Sequence, residues 1–272
     1  MSIFNLAYEA LMCINVDEKV QLTHQLFDKT LNQHLNTDTT KPVETIAMPG
    51  RPEKPELVSY QSTPKRDRSE LGMIKTIHSI CHIEFNAINL ALDALYRFQN
   101  MPAQYYKDWA KVAHEEALHF TMLNDYLREL GYQYGDFDAH NGLWEMTVET
   151  DYDVLVRMAL VPRVLEARGL DVTPSIQIKF KKSQFSKMAE ILGVIFQDEI
   201  GHVKIGNYWY KHLCTERDLE PIETFDRLIK KHVGKSLRGP FNWEARLLSD
   251  FTEAELNYLE QANRERTNEP HP

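Results

Sequence analysis

The sequence predicts an all-α fold, a four-helix bundle with additional N- and C-terminal helices. Four long segments repeat apolar residues at helical spacing, at about 71–98, 102–131, 143–167 and 185–213. Segments rich in proline, glycine and polar residues separate them. A glutamate interrupts the apolar face of each segment. We predict N-terminal helices and an extended strap over residues 1–66, the bundle over 67–215 and a helical appendage over 216–272.

The N-terminal part is predicted to begin with two short helices within residues 2–33, with Asp17 able to cap the second. Helical periodicity then disappears from about His34 to Arg66, where five prolines disfavour helices. We therefore expect a long loop or extended strap before the bundle.

The first two bundle helices each carry acidic residues on an apolar face. Glu84 lies among Ile77, Cys81 and Ile88, where an unpaired carboxylate would incur several kcal/mol of desolvation. The second helix is predicted to start at Pro102 and to stop at Gly131. The strongly polar members of its inner face are Glu116 and His119.

The third helix is expected to run from about Leu143 to Ala167 and to end near Gly169, with Glu166 close to its end. Pro162 lies one turn before Glu166 and predicts a kink or local unwinding. Asp171–Pro174 is then expected to break the chain before a short helical piece from Ser175. The fourth helix follows, and further helices are predicted at about 221–233 and 243–259, before a polar end, 263–272, that is expected to be mobile.

The four bundle segments repeat one ligand pattern. Glutamate precedes histidine by three residues at Glu116/His119 and at Glu199/His202. Another glutamate lies 32 residues before the first pair and 33 before the second. One such pair arises easily by chance from 40 acidic residues and 11 histidines, but the matched upstream spacing does not. The predicted metal ligands are Glu84, Glu116, His119, Glu166, Glu199 and His202.

This set has the composition of a two-metal carboxylate site, with one glutamate from each of two helices and one Glu-x-x-His from each of two others. Residues three apart share a helix face, so both can address one ion, and a carboxylate can bridge two ions. Four carboxylates balance two divalent cations and suit Fe(II) or Mn(II) better than tetrahedral zinc. We predict two iron ions, with manganese as the alternative, and open positions for dioxygen, peroxide or water.

An acid also precedes each motif glutamate, and these acids are alternative ligands. Glu115 and Asp198 lie four residues before the histidines, but they are rotated about 100° from the apolar faces. Glu116 and Glu199 are therefore preferred, and Glu115 and Asp198 are interpreted as outer or surface acids.

Several other polar residues have two interpretations. His78 and His82 lie one turn apart on the first bundle helix, and hydrogen-bonded packing is favoured over metal ligation for them. Arg163 shares the face of Glu166 and could shield that acid or bind an anionic substrate, and a plain salt bridge is equally open. For Tyr126 and Tyr210 core packing is favoured over a redox role.

Composition limits the possible partners and compartments. The net charge of −9 argues against a general nucleic-acid binder. Three widely spaced cysteines without a CxxC pair fit a reducing cytoplasm, and the N-terminus suggests neither secretion nor membrane insertion. Two basic clusters are interpreted as solvated helix surface. They comprise Arg227, Lys230, Lys231, Lys235 and Arg238, and Lys179, Lys181, Lys182 and Lys187.

Longer strings carry a resemblance to a known family. They include PGRPEKPELV at 49–58, HIEFNAINLALDAL at 82–95, HEEALHF at 114–120, YGDFDAHNGLWEM at 134–146, MALVPRVLEARGLDVTP at 158–174, DEIGHV at 198–203 and LRGPFN at 237–242. Together they resemble the bacterial ferritin-like family catalogued as domain of unknown function 455. The resemblance implies a ferritin-like bundle, and the six predicted ligands coincide with acidic and histidine positions of that family.

The resemblance implies no single reaction. Related bundles include ferroxidases, rubrerythrin-like peroxidases, ribonucleotide reductase subunits and a tRNA isopentenyladenosine hydroxylase. We predict an oxidoreductase in which a di-iron centre activates dioxygen or peroxide to oxidise or hydroxylate a small-molecule or macromolecular substrate, with an external electron donor. A tRNA substrate rests only on the basic clusters, and a homo-oligomer is compatible with the sequence. The alternative is a non-catalytic metal-binding or structural bundle.

Overall fold

The computed structural model describes residues 2–32, 36–37, 42–234 and 237–268. Within these ranges the chain is helical and forms no β-strand, which confirms the predicted all-α class. The chain divides into two compact units, residues 1–149 and 150–272. The boundaries near residues 66 and 215 remain predictions. No helix in the described ranges combines the length and hydrophobicity that a bilayer span requires.

The first unit is built on a pair of long helices. Its helices are α1 (Ile3–Met12), α2 (Val16–Asn32), α3 (Glu70–Arg97), α4 (Ala103–Glu129) and α5 (Gly142–Glu149), with a 3-10 turn at Tyr60–Ser62. Helices α3 and α4 make the most extensive contact, while α1 packs on α3 and α2 packs on α4. The predicted ends of α4 are confirmed, because Pro102 precedes its first turn and Gly131 adopts a φ of 81° after its last.

The start of α2 differs from the prediction. Asp17 lies inside the first turn, and the side chain of Asn15 accepts the Glu18 N–H at 3.0 Å. Asn15 is therefore the capping residue, whereas Asp17 places a negative charge beside the positive end of the helix dipole.

Buried Lys19 ties the N-terminal helices to the bundle helix α3. Its Nζ donates to the carbonyls of Ala10 and Leu11 at 2.8 and 2.7 Å and to Asn89 Oδ1 at 2.8 Å. Two of these acceptors lie at the C-terminal end of α1, where the Ala10 carbonyl also accepts the Cys13 N–H and the Leu11 carbonyl accepts the Gly50 N–H. One side chain therefore ends α1 and fixes it against α3.

The strap contains no α-helix in its described part, residues 36–37 and 42–66, as predicted. The beginning of the predicted strap at His34 lies outside the described residues. Val58 N–H donates to the Ala139 carbonyl and Ala139 N–H donates to the Glu56 carbonyl, at 2.8 and 3.0 Å. Trp144 Nε1 also donates to the Ala47 carbonyl at 3.0 Å. These bonds hold the strap against the loop before α5 and against α5 itself.

The second unit contains the remaining helices and a π-helical segment. They are α6 (Val154–Leu160), the π segment (Val161–Glu166), α7 (Ala167–Lys181), α8 (Ser186–Glu216), α9 (Pro221–His232), α10 (Trp243–Leu248) and α11 (Glu253–Asn268). The π segment starts one residue before Pro162 and confirms the predicted local unwinding. Helix α8 packs against α6, the π segment and α7.

One predicted continuous helix and one predicted break are wrong. The expected helix from Leu143 to Ala167 is interrupted at 150–153, where the Asp153 side chain caps α6 by accepting the Leu155 N–H at 2.9 Å. By contrast, α7 continues through Asp171–Pro174 and past Gly169. Pro174 cannot donate to the Leu170 carbonyl, but Asn242 Nδ2 donates to it at 3.1 Å. This tertiary hydrogen bond compensates for the missing helix bond.

The C-terminal helices also differ from the prediction. The helix expected at about 243–259 is divided into α10 and α11 by residues 249–252, where Asp250 adopts a φ of 64°. Helix α11 continues to Asn268, into the stretch that was expected to be mobile. Residues 269–272 of that stretch, and Lys235 of the basic cluster, lie outside the described residues.

Candidate metal centre

The first unit contains a buried group of three predicted ligands, Glu84, Glu116 and His119, called here the first group. Helix α3 supplies Glu84, and one face of α4 supplies Glu116 and His119. Their exposed fractions are 4%, 0% and 0%, respectively. His119 Nδ1 lies 3.3 Å from Glu84 Oε2 and 3.3 Å from Glu116 Oε2. The structure thus brings all three side chains together in the apolar interface of α3 and α4.

The electrostatics of the first group show how strongly burial acts there. Burial, followed by the neighbouring charge of Glu116, raises the pKa of Glu84 well above its usual range. Burial lowers the pKa of His119, but the hydrogen bonds and charges of Glu116 and Glu84 outweigh it and raise this pKa to about 11. A positive charge between the two carboxylates is therefore strongly favoured.

The first group fits the dimensions of a metal site. Nitrogen and oxygen ligands at about 2.0–2.2 Å from one ion lie roughly 3 Å apart when they are at right angles. The two 3.3 Å distances from His119 Nδ1 to the carboxylate oxygens are close to this value. All three residues offer ligand atoms within 4.8 Å of one another. The set of two carboxylates and one imidazole can therefore hold a divalent cation.

The second unit contains the other three predicted ligands, Glu166, Glu199 and His202, called here the second group. His202 is fully buried on α8, and its Nδ1 lies 3.7 Å from Glu199 Oε1, with Glu199 13% exposed. Glu166 is the last residue of the π segment and is half-buried. The pair of Glu199 and His202 repeats the i,i+3 arrangement of Glu116 and His119.

The packing of the π segment determines where Glu166 lies along α8. A Cβ on Gly206 would overlap the ring of Pro162, so only glycine permits this close approach. Arg163 donates to Asn207, the next residue on α8. Gln177 of α7 donates to the carbonyl of Ala189, which lies nearer the N-terminal end of α8. The π segment and α7 therefore run antiparallel to α8. Glu166 is the last residue of the π segment that makes this contact with α8.

One of the two alternative acids, Glu115, is less suited to ligation. Glu115 is bound to Lys111, with Nζ–Oε distances of 2.6 and 2.8 Å, on the outer face of α4. This ion pair favours Glu116 as the ligand from that motif. Asp198 is half-buried on α8.

His78 and His82 are packing residues, in agreement with the prediction. His82 Nε2 lies 3.1 Å from the His140 carbonyl, and its Nδ1 lies 2.9 Å from the Tyr134 hydroxyl. His78 Nε2 accepts the Gly135 N–H at 2.9 Å. Burial lowers the pKa of both histidines to about 4, so both are neutral at pH 7. They hold the loop after α4 against α3.

A cleft of about 480 Å³ opens beside this loop in the first unit. Tyr134 lines the cleft and its ring contacts Phe85 and Phe120, with centroid distances of 5.1 and 5.2 Å. These two phenylalanines are the sequence neighbours of Glu84 and His119. Tyr134 therefore separates the cleft from the apolar interface that contains the first group. The other lining residues are Ile14, Asn15, Val16, Asp17, Pro52, Lys54, Asn124, Arg128 and Gln133.

Arg163 forms a salt bridge, which is one of its predicted roles. Its guanidinium is fully buried and donates to Glu255 Oε1 at 2.7 Å. The rings of Tyr210, Phe225 and Phe251 surround it, with distances of 4.3, 4.4 and 4.7 Å to the ring centroids. Sequence reasoning missed Glu255 because it lies 92 residues away and has no local motif.

Tyr126 and Tyr210 are both buried in the packed interior of their units. Tyr126 is 5% exposed on α4, and Tyr210 is fully buried on α8. The Tyr210 hydroxyl donates to the Pro221 carbonyl at 2.7 Å. These contacts support the packing interpretation.

The described members of the basic clusters lie largely on helix surfaces. Arg227, Lys230 and Lys231 are exposed on α9, and Lys230 Nζ lies 2.7 Å from Asp226 Oδ2. This arrangement agrees with the interpretation of a solvated surface. A tRNA substrate remains a prediction from sequence.

Together, these observations define an all-helical bundle protein in which each unit carries a carboxylate–histidine group. The chain belongs to the family described as protein of unknown function DUF455, whose model matches residues 12–257. It is also 44% identical over 263 residues to an uncharacterized protein of Haemophilus influenzae, a match that covers 92% of this chain and 91% of that protein. No solved structure matches the chain. The match confirms the resemblance to domain of unknown function 455.

Proposed function

We propose that the protein is a ferritin-like di-metal carboxylate oxidoreductase. In this proposal the six predicted ligands hold two iron ions, with manganese as the alternative. The observation that carries the proposal is the duplicated arrangement in the two units. In each unit a Glu-x-x-His pair on one helix accompanies a glutamate from a neighbouring helical element.

Charge supports two divalent ions rather than one. The two groups contain four carboxylates, Glu84, Glu116, Glu166 and Glu199, and four negative charges balance two dications. Glu84 and Glu116 are almost completely buried, so their desolvation is costly unless cations compensate for it. Hard carboxylate ligands with one histidine in each group favour iron or manganese over zinc.

The residues of the chain would bind and orient the ions and exclude water. Ile77, Cys81 and Ile88 on α3 and Ala113 and Phe120 on α4 are buried around the first group. When bound, the ion pair would supply the redox chemistry for activating dioxygen or peroxide. The apolar surroundings would protect the reacting centre from solvent while an organic substrate is oxidised or hydroxylated, with electrons from an external donor.

The proposal is tested by anaerobic loading of the full-length protein with Fe(II). We expect two iron ions per chain by elemental analysis and oxygen consumption when a reductant is added. Glu116→Gln and Glu199→Gln are each expected to lower the iron content, because each removes a carboxylate ligand. Glu115→Gln and Asp198→Asn are the matched controls, since they remove adjacent acids outside the proposed ligand set.

Fewer than two metal ions per chain in the wild-type protein would contradict the two-metal proposal. Full metal loading without oxygen consumption would instead favour the non-catalytic metal-binding alternative. In that case Glu116→Gln would change stability or assembly but no oxidation reaction. Equal iron loss in the Glu115→Gln control would contradict the proposed ligand assignment.

A further inference from the structure

A pair of histidine side chains that can ligate a metal lies between α2 and α4 of the first unit. His24 and His114 face each other with their Nδ1 atoms 2.8 Å apart. Their ring centroids are 4.5 Å apart and their planes are inclined by 68°. Phe27 packs on the His114 ring with a centroid distance of 4.5 Å. Two different helices therefore direct the same type of nitrogen toward one point.

This histidine pair is separate from the first group, although both use α4. His114 precedes Glu116 by two residues, which is about 200° of rotation around the helix. His114 consequently contacts α2, whereas Glu116 and His119 lie toward Glu84 of α3. Both His24 and His114 are half-buried, so solvent reaches the pair, unlike the first group.

The pair has the chemistry of a metal site. An Nδ1–Nδ1 separation of 2.8 Å requires that at least one of the two rings presents a lone pair, because two N–H groups would repel each other at this distance. Neutral imidazoles offer lone pairs to a metal. Asp28 lies one turn after His24, and its negative charge acts on both imidazoles. Two histidines with a nearby carboxylate are ligand types that zinc and related ions use in proteins.

We propose that His24 and His114 bind one late first-row divalent cation, such as zinc, with water completing the coordination. Two nitrogens at about 2.0–2.1 Å from a tetrahedral zinc ion lie roughly 3.3 Å apart. The observed separation of 2.8 Å therefore requires the rings to part by about half an ångström. Imidazole ligands favour zinc, copper and nickel, whereas the proposed di-metal ligands are mainly carboxylates. The site neither depends on the proposed oxidoreductase function nor shares a ligand with it.

The test is a zinc titration of the full-length protein by calorimetry, with bound zinc counted by elemental analysis. We expect His24→Gln and His114→Gln each to bind one zinc ion fewer per chain than the wild type. The matched control is His212→Gln, because His212 is a half-exposed histidine of α8 paired with Glu216. That control and Glu116→Gln are both expected to retain this zinc, which separates the site from the proposed di-metal centre.

Imidazole NMR of the wild-type protein provides a second measurement that does not depend on the folding of a variant. The Nδ1 signals of His24 and His114 are expected to change together as one equivalent of zinc binds. Unchanged Nδ1 signals, or wild-type zinc content in folded His24→Gln and His114→Gln proteins, would overturn the proposal.

Discussion

The contact between Arg163 and Glu255 gives the sharpest test of how the second unit is stabilised. Glu255→Gln removes the negative charge but keeps an amide that can occupy the same space. Glu255 Oε2 also accepts the Thr252 N–H and hydroxyl at 2.7 and 2.9 Å, and the glutamine carbonyl oxygen in this position can retain both bonds. The substitution therefore mainly removes the charge that compensates Arg163.

The expected effect follows from the burial of the pair. Arg163 is fully buried and Glu255 is 5% exposed, with 2.7 Å between Nη2 and Oε1. Leaving one charge of a buried pair without its partner costs about 3–5 kcal/mol. The three surrounding aromatic rings attract the guanidinium by up to about 2 kcal/mol each, but they are present in both proteins and do not replace the lost charge. We expect the free energy of unfolding to fall by about 3–5 kcal/mol.

Urea unfolding followed by circular dichroism measures this loss. The control is Lys204→Gln, which removes an exposed ion pair with Asp250 in the same unit, at 3.4 Å and with side chains 55% and 51% exposed. Exposed pairs contribute at most about 1 kcal/mol, so the control is expected to change little. Equal losses in the two variants would refute the reasoning from burial.

The same pair predicts a dependence on pH. Burial raises the pKa of Glu255, but the charge of Arg163 and the hydrogen bonds from Thr252 and Arg163 outweigh it and lower this pKa below the ordinary 4.5. The stabilisation is therefore fully present above pH 4.5 and is lost as pH falls through the lower folded-state pKa. The stability difference between wild type and Glu255→Gln should shrink over that acidic range. A constant difference would contradict this linkage.

Three further variants test other parts of the fold by urea unfolding. Gly206→Ala is expected to lower the free energy of unfolding by about 1–3 kcal/mol, because the added Cβ would overlap Pro162. The control Gly201→Ala has no heavy atom within 4 Å of the added Cβ and should be neutral or stabilising. Equal effects of the two substitutions would contradict the close approach of Gly206 to Pro162. Lys19→Met should cost about 1–3 kcal/mol, because the buried Asn89 Oδ1 loses its donor while the Ala10 and Leu11 carbonyls keep backbone donors. Unchanged stability would show that the hydrogen bonds of Lys19 contribute nothing. Burial lowers the pKa of His78 from 6.5 to about 4, so the wild type should lose stability as pH falls between these values. His78→Gln should lose less stability over the same range. Identical pH profiles of the two proteins would contradict the lowered pKa of His78.

Two prolines show where sequence reasoning succeeds and where it fails. Pro162 and Pro174 each remove a backbone donor, and both were expected to disturb a helix. Pro162 lies in a π segment, but α7 continues across Pro174 because Asn242 donates to the Leu170 carbonyl. Asn242 is 72 residues from Leu170, so no local pattern could predict this compensation.

The same distinction applies to the polar residues of the two units. The helix faces that present Glu84 on α3 and Glu116 and His119 on α4 were predictable. Helical spacing and the cost of burying a carboxylate are both evident from local sequence. The capping role of Asn15 rather than Asp17 required atomic geometry, since both residue types are good caps. The partner of Arg163 required the tertiary contact with Glu255.

The sequence by itself therefore determined the all-α class, the approximate positions of most long helices and the candidate ligands, because periodicity and desolvation act over one or two turns. Only the tertiary structure decided that Pro174 is tolerated, that Glu255 neutralises Arg163 and that His24 meets His114. These outcomes depend on contacts between residues distant in the chain. Their free energies arise when helices pack, so neither residue of a pair reveals them alone.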